Sequence, residues 1–369
     1  MSKKLLFIIG TRPELIKIFP IIDYLKSINY TNYKIVSTGQ HKDLLNTYWR
    51  VFNIQPDYQL DIIKEGQNLT QLTSKAILGI DNLLKEINKE FFPEIILAQG
   101  DTTTVMAAAM VAFYNNIEFA HIEAGLRSFD LQHPFPEEFN RKIASIVTKY
   151  HFAPTSTSKK NLLNENIDDK KIFVVGNTII DTLNYFINSS LLKKHQFSEP
   201  KLKNVTSNCV LITCHRRENH LHLQNLIEAV DKLSSSYPNH TFIWAVHPNP
   251  NVKNKVLNSK LDSKKNFIIT DPLEYLDLIK VISLSYKIIS DSGGIQEEAP
   301  SFGVPVLILR ETTERPEAIQ LGLSKLVGMN QTKIIEAFNN FIPKFDSLQN
   351  PYGDGLTSKR IIDILLTNH

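Results

Sequence analysis

The sequence predicts two α/β domains, each a doubly wound, Rossmann-like parallel sheet with helices on both faces. Three observations lead there. Short apolar runs alternate with stretches of helical period, as in βαβ units whose strands are buried on both sides. That rhythm runs through the first part of the chain and restarts near residue 171. And 369 residues are more than one hydrophobic core normally organises.

The elements follow in order. "KLLFIIG" (4–10) reads as a strand and leads into the helical "PELIKIFPIIDYLKS". "YKIVSTG" (33–39) precedes "HKDLLNTYWRVF", and "EIILAQG" (94–100) precedes "TTVMAAAMVAFYN". "EFAHIEAG" (118–125) is followed by a loop, the helical "EEFNRKIASIVTKY" and the strand "YHFAPT" (150–155). The second series begins at "KIFVVGN" (171–177) and crosses a polar stretch at 191–208. It continues through "CVLITCH", a helix near 221–236, "TFIWAVH", "NFIITD", "YKIISDSGG" and "VPVLILRE". The expected domains are 1–170 and 171–354. The amphipathic segment 355–369 is expected to cross back onto the first domain.

Composition excludes several classes. The chain is 42% hydrophobic and 21% charged, with a net charge of +3, which argues against nucleic acid or an anionic membrane as the main partner. No apolar run reaches the length of a membrane helix, and the start "MSKKLLFIIGTRPE" reads as a first strand rather than a signal peptide. Cys209 and Cys214 lie in a strand-like run and point to opposite faces, so two buried thiols in a reducing cytoplasm are expected. No Cys/His cluster has zinc spacing, and no motif demands a metal, although the acids leave room for a magnesium site.

In doubly wound sheets, ligands sit beyond the carboxyl ends of the strands. Arg12 and Lys17 follow the first strand and could flank an anion. Asp101 ends the "ILAQG" run, where it could also be an N-cap. Glu123 continues an apolar strand, where an unpaired carboxylate is costly to bury. Glu137 and Glu138 mark a loop-to-helix transition, a favourable place for acids in any helix. Several acids on one rim suit proton transfer.

The second half answers with "HRREN", where His215 and Arg216 end a strand, and with "HPNP", which holds His247. In "SDSGGIQEE", Ser292, Gly293 and Gly294 form a strand-to-helix turn of the kind that approaches phosphate closely. A carboxylate one turn further in would face what the phosphate carries. Glu298 could accept two ribose hydroxyls, leaving Glu297 to pair elsewhere. Phosphate and ribose read side by side point to a nucleoside diphosphate ligand. Arg315 follows in "ETTERPEA".

These motifs, with "TGQH", "GDTTT", "HIEAGLRS", "PFPEEFNR", "FAPT", "VGNTIIDTL" and "NPYGDG", stand in the order and at the spacing of a known family. The chain resembles the non-hydrolysing UDP-N-acetylglucosamine 2-epimerases. The resemblance implies the two-domain glycosyltransferase-B architecture with a central cleft, a homodimer, and no redox cofactor or metal. It also implies reversible interconversion of UDP-GlcNAc and UDP-ManNAc through elimination of UDP to a 2-acetamidoglucal and its re-addition, supplying ManNAc for bacterial surface polysaccharide. Carried over by motif, Asp101, Glu123 and Glu137 are the catalytic carboxylates, and His215 contacts the substrate phosphates or assists their departure. Arg12, Lys17 and Arg315 line the substrate, and Ser292, Gly293, Gly294 and Glu298 bind UDP. Uracil is expected at "DPLEYLDLI", where relatives often carry Gln and Phe in place of Leu273 and Leu278. Gln40, Arg216 and His247 fall in motifs associated with a second, activating UDP-GlcNAc, although an Arg common in relatives is Gly66 here.

Two enzyme alternatives share the fold. A hydrolysing epimerase would release ManNAc and UDP, but "GTRPE" is not the Arg-Ala-Asp/Glu-Tyr type of start that branch carries. A glycosyltransferase usually needs fewer carboxylates than the first half offers.

Overall fold

The computed structural model describes residues 3–39, 42–63, 66–343 and 350–367. It divides into two compact units, Met1–Thr182 with Tyr352–His369, and Leu183–Pro351.

The first unit is built on a seven-stranded sheet. Its strands are β1 (Leu5–Ile9), β2 (Tyr33–Ser37), β3 (Tyr58–Gln59), β4 (Ile95–Gln99), β5 (Glu118–Ile122), β6 (Tyr150–Ala153) and β7 (Ile172–Val174). They lie in the order β3-β2-β1-β4-β5-β6-β7, and every pairing is parallel. The central strands are apolar throughout because both faces are covered. Leu6, Ile8, Ile96 and Ala98 pack with helices Leu69–Ile87 and Thr103–Tyr114 in one cluster.

The second unit carries β8 (Cys209–Thr213), β9 (Thr241–Ala245), β10 (Phe267–Thr270), β11 (Ser285–Ser290), β12 (Val306–Ile308) and β13 (Ser324–Leu326). Their order is β10-β9-β8-β11-β12-β13, again parallel. Period-two alternation splits β8 between two cores. Val210 and Ile212 join one cluster with Cys214, while Leu211 joins the other with Cys209. Both cysteines are free and buried, and burial pushes the Cys209 thiol up to about 12.

Each sheet reverses direction once. The chain leaves β1 toward β2 and resumes on the other side at β4; it leaves β8 toward β9 and resumes at β11. The gaps β1/β4 and β8/β11 are therefore the topological switch points.

The strand expected to open the second domain, Ile172–Val174, instead pairs with β6 and closes the edge of the first sheet. The change of unit falls inside helix Thr178–Asn188, not near residue 170. The last helix, Thr357–Thr367, packs on helix Arg12–Ser27 and counts with the first unit. Its start is held by Asp181, whose carboxylate accepts the Ser358 N–H at 2.7 Å and the Thr357 N–H at 3.3 Å. Among the described residues, no helix is long and apolar enough to cross a membrane.

Replacing Asp181 with Ala leaves those two buried N–H groups without their acceptor. The expected cost is about 1–3 kcal/mol. It should appear as a lower urea midpoint followed by fluorescence, and an unchanged midpoint would refute the role of this cap.

Candidate active site

In the first unit the acids gather at the ends of β4 and β5. Glu123 lies just past β5 with its backbone in the left-handed region, φ 67°, where a non-glycine residue is strained. This is a correction to its reading as a continuation of the strand. Its side chain is buried, and Oε2 accepts from Lys17 Nζ at 2.6 Å and from Gln99 Nε2. Lys17, expected near a substrate anion, supplies the counter-charge to Glu123.

Asp101 is not the helix cap. That place belongs to Thr102, whose hydroxyl accepts from the Val105 N–H. The Asp101 carboxylate is held by Arg141, with Nη2 at 2.7 Å and Nε at 3.0 Å from Oδ2, and Asn140 donates to its carbonyl. Arg141 sits one helical turn beyond Glu137, the half-buried first residue of helix Glu137–Val147. Its neighbour Glu138 is fully buried and ties down the preceding loop, accepting from the N–H groups of Ser128 and Phe129 and from Arg141. The Arg12 guanidinium lies 5.7 Å from the centre of the Tyr48 ring.

A buried carboxyl that sequence reasoning passed over sits at this sheet's switch point. Glu14 is 1% exposed. It accepts the Gly10 N–H at 2.7 Å and the Thr11 hydroxyl at 2.9 Å, both from its own turn, and bonds to the Thr102 side chain beyond β4. The two turns approach so closely that a Cβ on Gly10 would lie 2.2 Å from Thr104 Oγ1. Burial raises the Glu14 pKa to about 7, against the pull of those donors.

In the second unit, His215 and Arg216 follow β8 and the turn Ser292–Gly294 follows β11, the two strands at the switch point. Asp291, fully buried, joins them. It accepts the N–H groups of His215 at 3.0 Å and Arg216 at 2.9 Å and the Asn219 amide at 2.9 Å. Burial alone would raise its pKa, but the His215 side chain and the N–H of Arg216 hold it down at about 2. A carboxylate ending an apolar run was the signal that picked out Glu123, and the same signal would have found Asp291.

Ser292 caps helix Gly293–Glu298. A Cβ on Gly293 would lie 2.6 Å from Arg315 Nη1, so that guanidinium packs directly on the glycine backbone. Arg315 bonds Glu297 at 2.6 Å and Glu314 at 2.9 Å, and Arg216 reaches Glu314 at 3.3 Å. Glu297 thus pairs with a cation, while Glu298 is buried beside it. The His247 ring lies 5.8 Å from that of His215 and 5.7 Å from that of His220. The Leu273 side chain lies in the hydrophobic core with Phe197 and Ile308, and Leu278 packs against the same cluster. Gln40 lies outside the described residues. Gly66 has φ 75° and open space around it. Among the described residues, no group of His, Cys, Asp and Glu could hold a metal ion.

A family model described as UDP-N-acetylglucosamine 2-epimerase matches residues 24–366. The chain belongs to that family. It is 42% identical to the Neisseria meningitidis UDP-N-acetylglucosamine 2-epimerase, covering 99% of this chain and 100% of that one. The crystal structure of the Neisseria enzyme bound to UDP-GlcNAc superposes with a TM-score of 0.90 over the same shares. The Methanocaldococcus jannaschii UDP-GlcNAc 2-epimerase, in complex with UDP-GlcNAc and UDP, matches at 37% identity and a TM-score of 0.86, over 99% of this chain and 100% of that one. A glycosyltransferase from Rickettsia africae, 16% identical with a TM-score of 0.60 and full coverage of both chains, shares the fold. Members of the family are thus built as two parallel-sheet α/β domains of the glycosyltransferase-B kind.

The Glu14 carboxyl makes a pH prediction. The folded state keeps its proton to about pH 7, whereas the unfolded chain releases it near its ordinary 4.5. Stability should therefore fall as pH rises between these values and level off above them, by on the order of 3 kcal/mol from this group. Glu14→Gln should remove that part of the slope and gain on the native protein as pH rises. Parallel pH profiles of the two proteins in urea titrations would overturn the assignment.

Proposed function

We propose that this protein interconverts UDP-GlcNAc and UDP-ManNAc without hydrolysis. The observation that carries the reading is the acid rim of the first unit. Glu123 is held in a strained backbone against Lys17, with Asp101 fixed by Arg141 at the end of the next strand. Family membership and relatives named UDP-N-acetylglucosamine 2-epimerase support the epimerase part of the reading.

The chemistry requires such a rim. C2–H of the sugar is weakly acidic because no carbonyl stands beside it. As the C1–O bond breaks, its electrons leave with UDP and the ring becomes oxocarbenium-like. One carboxylate takes the C2 proton, and the C–H electrons form the C1=C2 bond of the 2-acetamidoglucal. A second carboxylate returns a proton to C2 from the opposite face as UDP adds back at C1. Asp101, Glu123 and Glu137 are the groups for these transfers. His215, Arg12, Arg315 and the N–H groups at Ser292–Gly294 would steady the diphosphate as it departs, and Glu298 would hold the ribose. The product would supply ManNAc for surface polysaccharide, and a cytoplasmic setting fits two buried free thiols.

The working form is a homodimer on this reading. Helices Thr103–Tyr114 and Glu137–Val147 lie side by side and present Phe113, Tyr114 and Ile146 at 61, 68 and 74% exposure. Large apolar side chains grouped this way suit a second copy of the chain. Ile146→Asp should halve the mass measured by light scattering while the circular dichroism spectrum is kept. A native protein that is already monomeric would refute the dimer.

Proton NMR with UDP-GlcNAc in D2O tests the reaction. UDP-ManNAc should appear with deuterium at C2. Asp101→Asn, Glu123→Gln and Glu137→Gln should each lower kcat by about 100-fold or more. Accumulation of free ManNAc and UDP would instead establish hydrolysis, and no product from bound UDP-GlcNAc would overturn the epimerase reading.

A further inference from the structure

Asp291 is the best-furnished acid outside the carboxylate rim, and the proton transfers make no use of it. It has no exposed surface. Two arginines of the neighbouring turns are engaged elsewhere: Arg216 bonds Glu314, and Arg315 bonds Glu314 and Glu297. Its charge is therefore directed at the turn after β8. Three donors come from that turn: the N–H groups of residues 215 and 216 and the Asn219 amide. Asn219 also donates to the Leu309 carbonyl at 3.0 Å, which anchors the turn to the far side of β11. The Cys214 thiol bonds to Asp291 as well, and the His215 imidazole stands beside it, with Nδ1 3.7 Å from Oδ1. That side chain keeps 39% of its surface exposed. One ring edge thus faces the carboxylate, the His247 ring lies 5.8 Å away, and part of the imidazole stays open.

We propose that Asp291 is the positioning residue for His215. It fixes the backbone from which the imidazole projects, and it selects the tautomer with the proton on Nδ1, so that Nε2 is the nitrogen offered to a ligand. A buried carboxylate that accepts from Nδ1–H commits a histidine in this way. The same residue begins the Ser292–Gly294 turn, so one carboxylate sets the distance between the imidazole and that turn. This inference rests on the epimerase reading for what His215 does, though not for how it is held.

Nitrogen-15 NMR of the native protein decides the placement without any reaction, with His215→Gln used to assign the signal. The neutral imidazole should be protonated on Nδ1, and a proton on Nε2 would overturn the proposal. Kinetics test the consequence. Asp291→Asn should lower kcat by about 100-fold or more, while KM and the affinity for UDP stay within about threefold. In a His215→Gln background the same substitution should cost almost nothing further, because two residues acting as one unit are not additive. A residue that merely held the turn together would lower UDP affinity in step with kcat and would add its full cost in the double variant. Either result would refute the assignment. If Asp291→Asn does not fold, the tautomer of the native histidine still decides between the two roles. If the native protein does not turn over UDP-GlcNAc, the epimerase reading fails and the tautomer measurement still judges Asp291.

Discussion

A carboxylate taken out of water must be given donors or a cation, and that requirement organises both halves of this chain. Each sheet has a buried acid at its switch point. Glu14 receives the backbone N–H groups of Gly10 and Thr11 and two threonine hydroxyls, too little to offset its burial, so it keeps its proton to about pH 7. Asp291 receives the N–H groups of two consecutive residues, an amide and a neighbouring imidazole, and it ionises near pH 2. Equal burial, with different donor sets, yields a neutral pin in one unit and a fixed negative charge in the other.

Both acids do the same mechanical work. Each joins the turn after one strand to the turn after the strand across the switch point. Glu14 ties the turn that carries Arg12 to the one that follows Asp101. Asp291 ties the turn that carries His215 to the one that begins at Ser292. Candidate ligand contacts are thereby fixed by groups that need not touch a ligand themselves, which is how a strand-end rim is held ready in advance. The left-handed backbone of Glu123 fits this arrangement. A strain of about 1–3 kcal/mol persists only where the surroundings over-determine it, and here Lys17 and Gln99 both hold the side chain.

Much of this was legible in the letters, and what was not has a physical reason. Strands buried on both faces leave continuous apolar runs, so β1, β4, β5, β8, β9 and β11 could be read directly. Two of the four edge strands leave none: Tyr58–Gln59 and Ser324–Leu326 are too short and too polar in their surroundings to show a period. Ile172–Val174 was visible as a strand, but nothing local says which sheet it joins. At the site, the residue types at strand ends pointed to Glu123, Asp101 and the Ser292–Gly294 turn as candidates. Their partners were not visible. Lys17 and Glu123 are far apart in sequence, as are Asp101 and Arg141, and a one-dimensional reading could not see either pair form.

The first unit is discontinuous, and this has a bearing on how the protein is made. Residues 183–351 are an insertion between the Asp181 carboxylate and the helix it caps. On the ribosome, the first sheet emerges and can pair long before helix Thr357–Thr367 exists. Until then the apolar side of helix Arg12–Ser27 that this late helix covers has nothing on it. The first unit therefore waits in an unfinished state while the whole of the second is synthesised, and the segment Tyr352–His369 completes it. Contacts that link the two ends of a chain form slowly because so much must be ordered first. The exposed face of that early helix is where a chaperone would find this protein, and where a stalled or shortened chain would first associate with another.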